Sequence, residues 1–500
     1  AVAIARSSGS MAARIVEHIT RLDDIAGIVV LALIGAFYRP TDAIATWSLP
    51  HIAWIFIELG LGGVLGILTY ILIRSAKSGG EEIASLLGSI ALSAGMAGYL
   101  GLSPLVVCAI AGALLINLPY QNVERLKATL AQVERPLYMI LLVIAGALWD
   151  PTAWQGWALV PIFVAARVAG KIMGARVAKR VGPKELPDAT TLGLALSPQS
   201  PVAIATIVSY YAIYRTQTEN AANLPWLMTA TIGGAVLTEL TVQILVRMRG
   251  GLRFELGSLS IPPLGEARGD GQRPRSRARD PDARRLAEDR RSILRSRRRI
   301  LTRAIFLLAI TVVLIAAARS FLPEETSIVG SGAALAFGFV LLAAIQSGTI
   351  FAGVKLPRLT GYLVSGFVAG PSVLNLVTDR MLSDLKLVNG VAIGLIALSA
   401  GGELNFKRLR GKYLSILAIG GFSLIGAVFF IALALLALSS ISFVITNFLP
   451  FMDGMTFTQR AVVALLIGTV LAAVSPTVAL ALTASLASGL GSLGALFPRL

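Results

Sequence analysis

Long apolar stretches recur along almost the whole chain, and this pattern limits what the chain can fold into. A helix that crosses a membrane needs roughly 20 mostly apolar residues, because each residue adds about 1.5 Å to its length. Eight stretches lie before an arginine-rich segment, at about 13–37, 51–73, 82–100, 103–118, 136–149, 157–175, 189–210 and 225–246. Six follow it, at about 301–320, 327–350, 359–372, 388–404, 412–438 and 461–485. The sequence therefore predicts an all-α polytopic membrane protein with about 14 transmembrane helices.

Composition supports this prediction and excludes several function classes. Apolar residues make up 55% of the chain, charged residues 14%, and the mean hydropathy is +0.77, whereas soluble domains carry about 25% charged residues. A single cysteine, Cys108, rules out disulfides within the chain and cysteine-based metal centres, and two histidines are too few for a histidine-rich metal site. We find no nucleophile–base pair and no phosphate-binding loop, and we expect neither an enzyme nor a cofactor.

The distribution of lysine and arginine predicts the orientation, because cytoplasmic loops are enriched in both. If the arginine-rich segment is cytoplasmic, the inside loops before it hold twelve basic residues and the outside loops hold two, Arg39 and Arg215. The inside set is Arg74, Lys77, Arg125, Lys127, Arg135, Arg176, Lys179, Arg180, Lys184, Arg247, Arg249 and Arg253. We expect an integral protein of a bacterial inner (cell) membrane, with both ends of this chain and the arginine-rich segment in the cytoplasm.

The arginine-rich segment divides the chain into two parts. Residues 265–303 hold fourteen arginines and six acidic residues, which is +8 of the net charge of +17. The segment has no apolar periodicity, and we predict a disordered linker on anionic headgroups. No aromatic residue interrupts the basic run, so a nucleic-acid partner is not expected. The predicted domains are residues 1–253 with about eight helices, a linker at 254–300, and residues 301–500 with about six.

Two adjacent carboxylates, Asp23 and Asp24, stand about ten residues into the first apolar stretch. A charge inside the bilayer costs roughly 2.5–3.5 kcal/mol on insertion scales, which makes such residues candidates for function. Burial and a neighbouring carboxylate both disfavour the charged form, so one of the pair can exchange a proton for a cation. The alternative is a helix that begins later and leaves both aspartates at the interface.

Arg167 and Lys171 are the basic residues that could pair with these aspartates. They are four residues apart, which places them on one face of a helix. Lys171 could instead extend to the cytoplasmic interface, and Arg167 could form a purely structural ion pair.

Two further acidic residues could have accessory roles in transport. Glu58 is predicted to be buried, with either a structural hydrogen bond or such a role. Glu403 is predicted to form an interfacial salt bridge or to have such a role.

Four strings in the sequence resemble the monovalent cation–proton antiporters. RLDDIAG at 21–27 resembles the paired-aspartate helix of the electrogenic branch, and LPRLTGYLVSGFVAGP at 356–371 resembles a helix near the family's N-terminus. AGGEL at 400–404 is similar to the end of the next helix, and SPTVALA at 475–481, with Ser475, Pro476 and Thr477, is similar to the broken helix that crosses the paired-aspartate helix. The resemblance implies inverted repeats with broken crossing helices. It also implies that Asp24, more than Asp23, is the residue that binds the proton or the cation in turn.

The order of these strings differs from the order in the family. There the paired aspartates follow the other three elements, whereas here they come first. Residues 1–5 also align with 478–482, after which the two sequences diverge. We interpret the chain as the C-terminal part of one antiporter module, a linker, and the N-terminal part of a second, tandem module; a single antiporter in permuted order is the alternative.

The resemblance implies secondary active transport, the exchange of Na⁺, Li⁺ or K⁺ for protons by alternating access. The partners it implies are monovalent cations, protons, the lipid bilayer and a second copy in a homodimer, with no bound metal other than the transported cation. A different hypothesis is a degenerate, non-transporting module that serves as a scaffold or sensor. The paired aspartates favour transport for the first part of the chain.

Overall fold

The fold was obtained as a computed structural model of the 500-residue chain. The residues that it describes are 28–29, 32–33, 49–76, 78–119, 123–152, 154–181, 193, 196, 201–214, 224–248, 298–317, 331–354, 356–404, 413–449 and 452–472. These residues form α-helices and contain no β-strand.

Seven of the helices lie before the arginine-rich segment. They are α1 (His51–Ser75), α2 (Gly79–Tyr99), α3 (Pro104–Asn117), α4 (Val123–Leu148), α5 (Trp154–Val181), α6 (Pro201–Tyr214) and α7 (Leu224–Met248). The helices that follow are α8 (Arg298–Ala317), α9 (Ser331–Gly353), α10 (Arg358–Ala369), α11 (Asp379–Asp384), α12 (Lys386–Gly402), α13 (Tyr413–Ser439), α14 (Ser442–Phe448) and α15 (Phe457–Ala472).

Six helical segments among the described residues are long and apolar enough to cross a membrane. They are Ile52–Ser75, Ala128–Leu148, Trp154–Arg180, Arg298–Ala317, Gly332–Gly353 and Gly420–Ser439. Shorter apolar helices lie between them; the 14 residues of α3 rise only about 21 Å, less than the roughly 30 Å of the hydrocarbon core. The chain is an integral membrane protein with several apolar spans.

Helix α4 differs from its prediction. The apolar stretch indicated a helix at 136–149, whereas the helix begins at Val123 and continues through Pro136. Glutamate, arginine, lysine and glutamine are good helix formers, so the charged residues that end an apolar stretch do not end the helix. For the same reason α5 continues past the predicted end at 175 to Val181, with Lys179 and Arg180 in its last turn, where they interact favourably with the helix dipole.

The two sequence parts pack closely against each other. Helix α3 lies against α12, α4 against α10, and α5 against α13. At the first crossing, a methyl group on Gly112 would meet the carbonyl oxygen of Leu398, and one on Gly401 would meet that of Ala109. Such contacts require the backbones of the two helices to touch, which glycine alone permits. One core of buried side chains therefore includes residues from both parts, among them Leu141 and Leu395.

Candidate ion-binding site

Helix α5 carries the two basic residues that the sequence singled out. Arg167 and Lys171 are four positions apart, so both lie on the same face of the helix. Arg167 is 3% exposed and Lys171 is 0% exposed, and Lys171 is the largest fully buried side chain among the described residues. An ionised group away from water is costly unless it is paired and hydrogen-bonded. The helix thus holds two basic side chains inside the packed bundle.

Glycines bring α5 into close contact with α13. A methyl group on Gly170 would meet the carbonyl oxygen of Gly426 on α13, and one on Gly174 would meet that of Phe422. The two helices therefore touch along a glycine stripe that stands next to Lys171 in the sequence. The alternative in which Lys171 reaches the cytoplasmic interface does not describe this structure, since the side chain has no exposed surface.

The predicted anionic partners and the broken helix lie outside the described residues. This applies to Asp23 and Asp24, and also to Ser475, Pro476 and Thr477. The described residues closest in sequence to the aspartates are helical at 28–29 and 32–33. Ile28 is 4% exposed and belongs to the main core, whereas Val29 is 51% exposed.

The two predicted accessory acids lie at different places. Glu58 on α1 is buried, 2% exposed, in agreement with its expected burial. Glu403 is the C-terminal cap of α12, where its backbone N–H donates to the carbonyl oxygen of Ala400 over 3.2 Å, and it is half-buried. The basic residues that follow it in sequence, beginning at Lys407, lie outside the described residues.

Two further acidic residues of the spans, Glu134 on α4 and Glu239 on α7, were missed at the level of sequence. The side-chain oxygen Oε2 of Glu239 is buried, and Glu134 Oε2 accepts a hydrogen bond from Ser399. Glu239 stands inside the apolar stretch predicted at 225–246. A single acidic residue in such a stretch is the sequence signal that could have identified it as a candidate. Glu134 lay two residues before the predicted start of its helix and gave no such signal.

A comparison with known protein families shows which family the first part of the chain matches. Residues 2–246 match the family described as "Sodium/hydrogen exchanger, transmembrane". The matched segment covers just under half of the chain and includes Asp23, Asp24, Arg167 and Lys171. The comparison with curated proteins found no match.

The match relates residues 2–246 to the sodium/hydrogen exchangers at the level of the family. Members of this family are transporters rather than enzymes. Over residues 2–246, the resemblance noted in the sequence strings is therefore confirmed for the transmembrane exchanger family. The description of the family names sodium, hydrogen and transmembrane segments, and the last of these agrees with the apolar helices of this chain.

Proposed function

We propose that the protein is a secondary active transporter that exchanges a monovalent cation for protons by alternating access. The observation that carries this proposal is the complete burial of Lys171 in a segment that matches the sodium/hydrogen exchangers. A fully buried ammonium needs an anionic partner nearby. The only paired carboxylates in the predicted apolar spans of the matched segment are Asp23 and Asp24.

Asp24 is the proposed carrier, with Asp23 in a secondary role. In a helix, residues four apart share a face, so a helix continuing back from residues 28–29 would place Asp24 on the face of Ile28. Ile28 is buried in the core, whereas Val29 is half exposed. By the same geometry Asp23 would point about 140° away from Ile28. Asp24 would then face the interior of the bundle, where it could exchange a proton for Na⁺, Li⁺ or K⁺.

Lys171 and Arg167 are the proposed charge partners of the aspartates. When Asp24 is ionised and holds no cation, an ammonium or guanidinium nearby would offset its charge. When a proton or a cation neutralises the aspartate, that compensation is no longer needed. The proton and the cation thus compete for one carboxylate, and this competition by itself couples the movement of one to the movement of the other. A lysine in this role is the pattern expected of the electrogenic branch.

The two sequence parts are proposed to act together. The division at residues 1–253, 254–300 and 301–500 is retained, with the second part supplying the predicted broken helix at Ser475, Pro476 and Thr477. Support comes from the contacts of α5 with α13 and of α3 with α12, each of which joins one part to the other. These contacts would let helices from two tandem modules, or from one permuted module, complete one transport unit.

The test is a transport measurement on the full chain in vesicles that contain a pH-sensitive dye. After a pH gradient is imposed, addition of Na⁺, Li⁺ or K⁺ is expected to dissipate it, whereas choline chloride is not. The cation that acts at the lowest concentration identifies the substrate. A gradient that persists with all three cations, in vesicles shown to contain folded protein, would contradict the proposal and favour a scaffold or sensor role.

A further inference from the structure

Helix α8 is the least enclosed of the six segments, among the described residues, that are long and apolar enough to cross a membrane. In its most apolar stretch 11% of the residues are buried, whereas the share in the other five segments is 28–44%. The helix nevertheless begins with three exposed arginines, Arg298, Arg299 and Arg303. It contains no acidic residue. The positive charge at its beginning is therefore not offset within the helix itself.

One side of α8 attaches the helix to the bundle. Ala304 and Ile315 are buried there, and Leu308 packs against the main core. Leu301 lies on the same side, because a methyl group on Gly353, at the end of α9, would meet its side chain. Spacings of three, four and seven residues along 301, 304, 308 and 315 describe one side of a helix.

The opposite side of α8 carries two of the arginines and a row of exposed apolar side chains. Arg299 and Arg303 stand at its beginning, followed by Phe306, Ile310 and Leu314, which are 63%, 45% and 68% exposed. The spacings of four, three, four and four residues keep all five on one side of the helix. We call this side the lipid face of α8. Its cationic end and apolar length match the order of headgroup and acyl chain in a phospholipid.

The charged end of α8 is expected at the cytoplasmic membrane surface. After Arg303 the residues up to Ala317 are uncharged, and they rise about 21 Å, most of the hydrocarbon core. The loop charges predict that α8 begins in the cytoplasm. Leu301 and Gly353 bring the end of α9 to the same place, and α10 begins shortly after it at Arg358, which is also exposed. Positive charge from two helices therefore collects at this end.

The chemistry of these side chains favours an anionic headgroup. A guanidinium group donates paired N–H groups to phosphate oxygens and is more weakly hydrated than an ammonium group. Arg299 and Arg303 are four residues apart, which brings their Cβ atoms to about 5–6 Å of each other, so both can reach one phosphate. A zwitterionic headgroup would bring its own cation towards the two arginines, whereas an anionic headgroup would not.

We propose that the lipid face of α8 binds an anionic phospholipid of the cytoplasmic leaflet. The phosphate lies at Arg299 and Arg303, and the acyl chains lie along Phe306 and Ile310. This site is a defined place for one lipid, in addition to the general attraction between the arginine-rich linker and anionic headgroups. Binding at this site does not depend on the proposed antiport, and its test records the position of a lipid rather than transport.

A fluorescent label on α8 tests the proposal in the full chain, reconstituted into phosphatidylcholine vesicles. Phe306→Cys provides the attachment point, because the native Cys108 is fully buried; the unsubstituted chain treated with the same reagent measures any labelling of Cys108. Spin-labelled phosphatidylglycerol and phosphatidylcholine, with the spin label at the same acyl position, then quench the label at equal mole fractions. Phosphatidylglycerol is expected to be preferred, by about fivefold for each arginine that takes part.

Three variants locate the preference. Arg299→Gln combined with Arg303→Gln is expected to abolish it while both lipids still quench the label. A label at Phe429→Cys, an exposed position on α13, is expected to be quenched equally by the two lipids, because α13 contains no charged residue. Arg380→Gln combined with Lys386→Gln removes the same charge from exposed positions on the predicted outer side, and is expected to leave the preference at α8 unchanged.

Equal quenching by the two lipids at Phe306→Cys would overturn the proposal, and so would a preference that survives the double arginine variant. If neither lipid quenches the label, protein covers this side of α8, as a second copy would, and the proposal is wrong. Inorganic phosphate in the buffer is expected to leave the preference intact; if it abolishes the preference, the arginines bind a soluble anion and not a lipid. Should Phe306→Cys not fold, Ile310→Cys on the same face takes its place with the same expected outcomes.

Discussion

The side-chain amide of Asn117 donates a hydrogen bond to the backbone carbonyl oxygen of Leu404 over 2.6 Å, although the two residues are 287 positions apart. The same amide donates to Ala113 within its own helix over 2.7 Å. Asn117 is the last residue of α3, and Leu404 is the second residue after the end of α12. The bond therefore joins the ends of two helices that belong to different parts of the sequence and whose backbones already touch through glycine.

Replacing Asn117 by Ala is expected to destabilise the packed bundle. The change removes the donor to Leu404, and a hydrogen bond of this kind contributes about 0.5–1.5 kcal/mol. Thermal or denaturant unfolding in detergent measures the loss. Asn447→Ala is the matched control, because the exposed amide of Asn447 donates to Phe443 within its own short helix, α14. Equal effects of the two variants would show that the contact between the sequence parts adds nothing.

Replacing Gly170 by Ala is expected to separate α5 from α13. The new methyl group would collide with the backbone at Gly426, and overpacking of this kind costs about 1–3 kcal/mol. The measurement is the unfolding transition together with the folded fraction on size exclusion. Gly421→Ala on α13 is the control, since a methyl group there meets no atom within 4 Å. Equal tolerance of both substitutions would contradict close contact between the backbones of α5 and α13.

Trp149 and Thr229 are expected to be coupled energetically. The indole N–H of Trp149 donates to the Thr229 hydroxyl over 3.0 Å, which links the end of α4 to α7. A double-mutant cycle with Trp149→Phe and Thr229→Val should give a coupling of about 0.6 kcal/mol, the average for hydrogen bonds between membrane helices, and no more than about 1.7 kcal/mol. Trp149→Phe also alters the ring contacts with Trp157 and Phe367, and the cycle subtracts that effect. A coupling near zero would contradict the bond.

Lys171→Met is expected to lower stability, because it leaves the proposed aspartate partner buried and uncompensated. Breaking a buried ion pair by removing one partner costs about 3–5 kcal/mol. A second substitution, Asp23→Asn or Asp24→Asn, should restore part of that stability, and the aspartate that restores more is the partner. Lys179→Met, an exposed change on the same helix, is expected to stay within about 0.5 kcal/mol. The pairing is contradicted if neither aspartate substitution restores stability.

The same series with Arg167→Met distinguishes the two basic residues. If Arg167 forms a structural pair elsewhere, neutralising the aspartates will not restore the stability of Arg167→Met. If it is the partner, the restoration will appear there and not in Lys171→Met.

The approximate positions of the helices could be predicted from apolar content, because a long apolar stretch must be buried away from water wherever it stands in the sequence. Their ends could not always be predicted. Helix α4 continues into residues rich in charge, since the same residues that make a segment polar are good helix formers. The short helices α11 and α14 lie between apolar stretches and gave no periodic signal.

The candidate site was predictable in residue type but not in placement. An apolar stretch with Arg167 and Lys171 indicated a functional pair, yet the same stretch allowed Lys171 to reach the interface. Lys171 is buried next to Gly170, whose contact with Gly426 joins residues far apart in sequence that meet only in the folded bundle. The contact of Glu134 with Ser399 depends likewise on the packing of α4 against α12, which no local pattern contains.

Asp24 is proposed to carry the proton or the cation, and replacing it by asparagine tests this role. Asp24→Asn keeps the size of the side chain and removes its titration. In vesicles of the full chain with an internal pH dye, this variant is expected to lose cation-driven proton movement but still to fold, with an unfolding transition lowered because Lys171 loses its proposed partner. Asp23→Asn, the matched neighbour, is expected to retain part of the exchange or to change the charge moved per cycle. If the Asp24→Asn protein still dissipates a pH gradient on addition of Na⁺, Li⁺ or K⁺, the carrier is another residue.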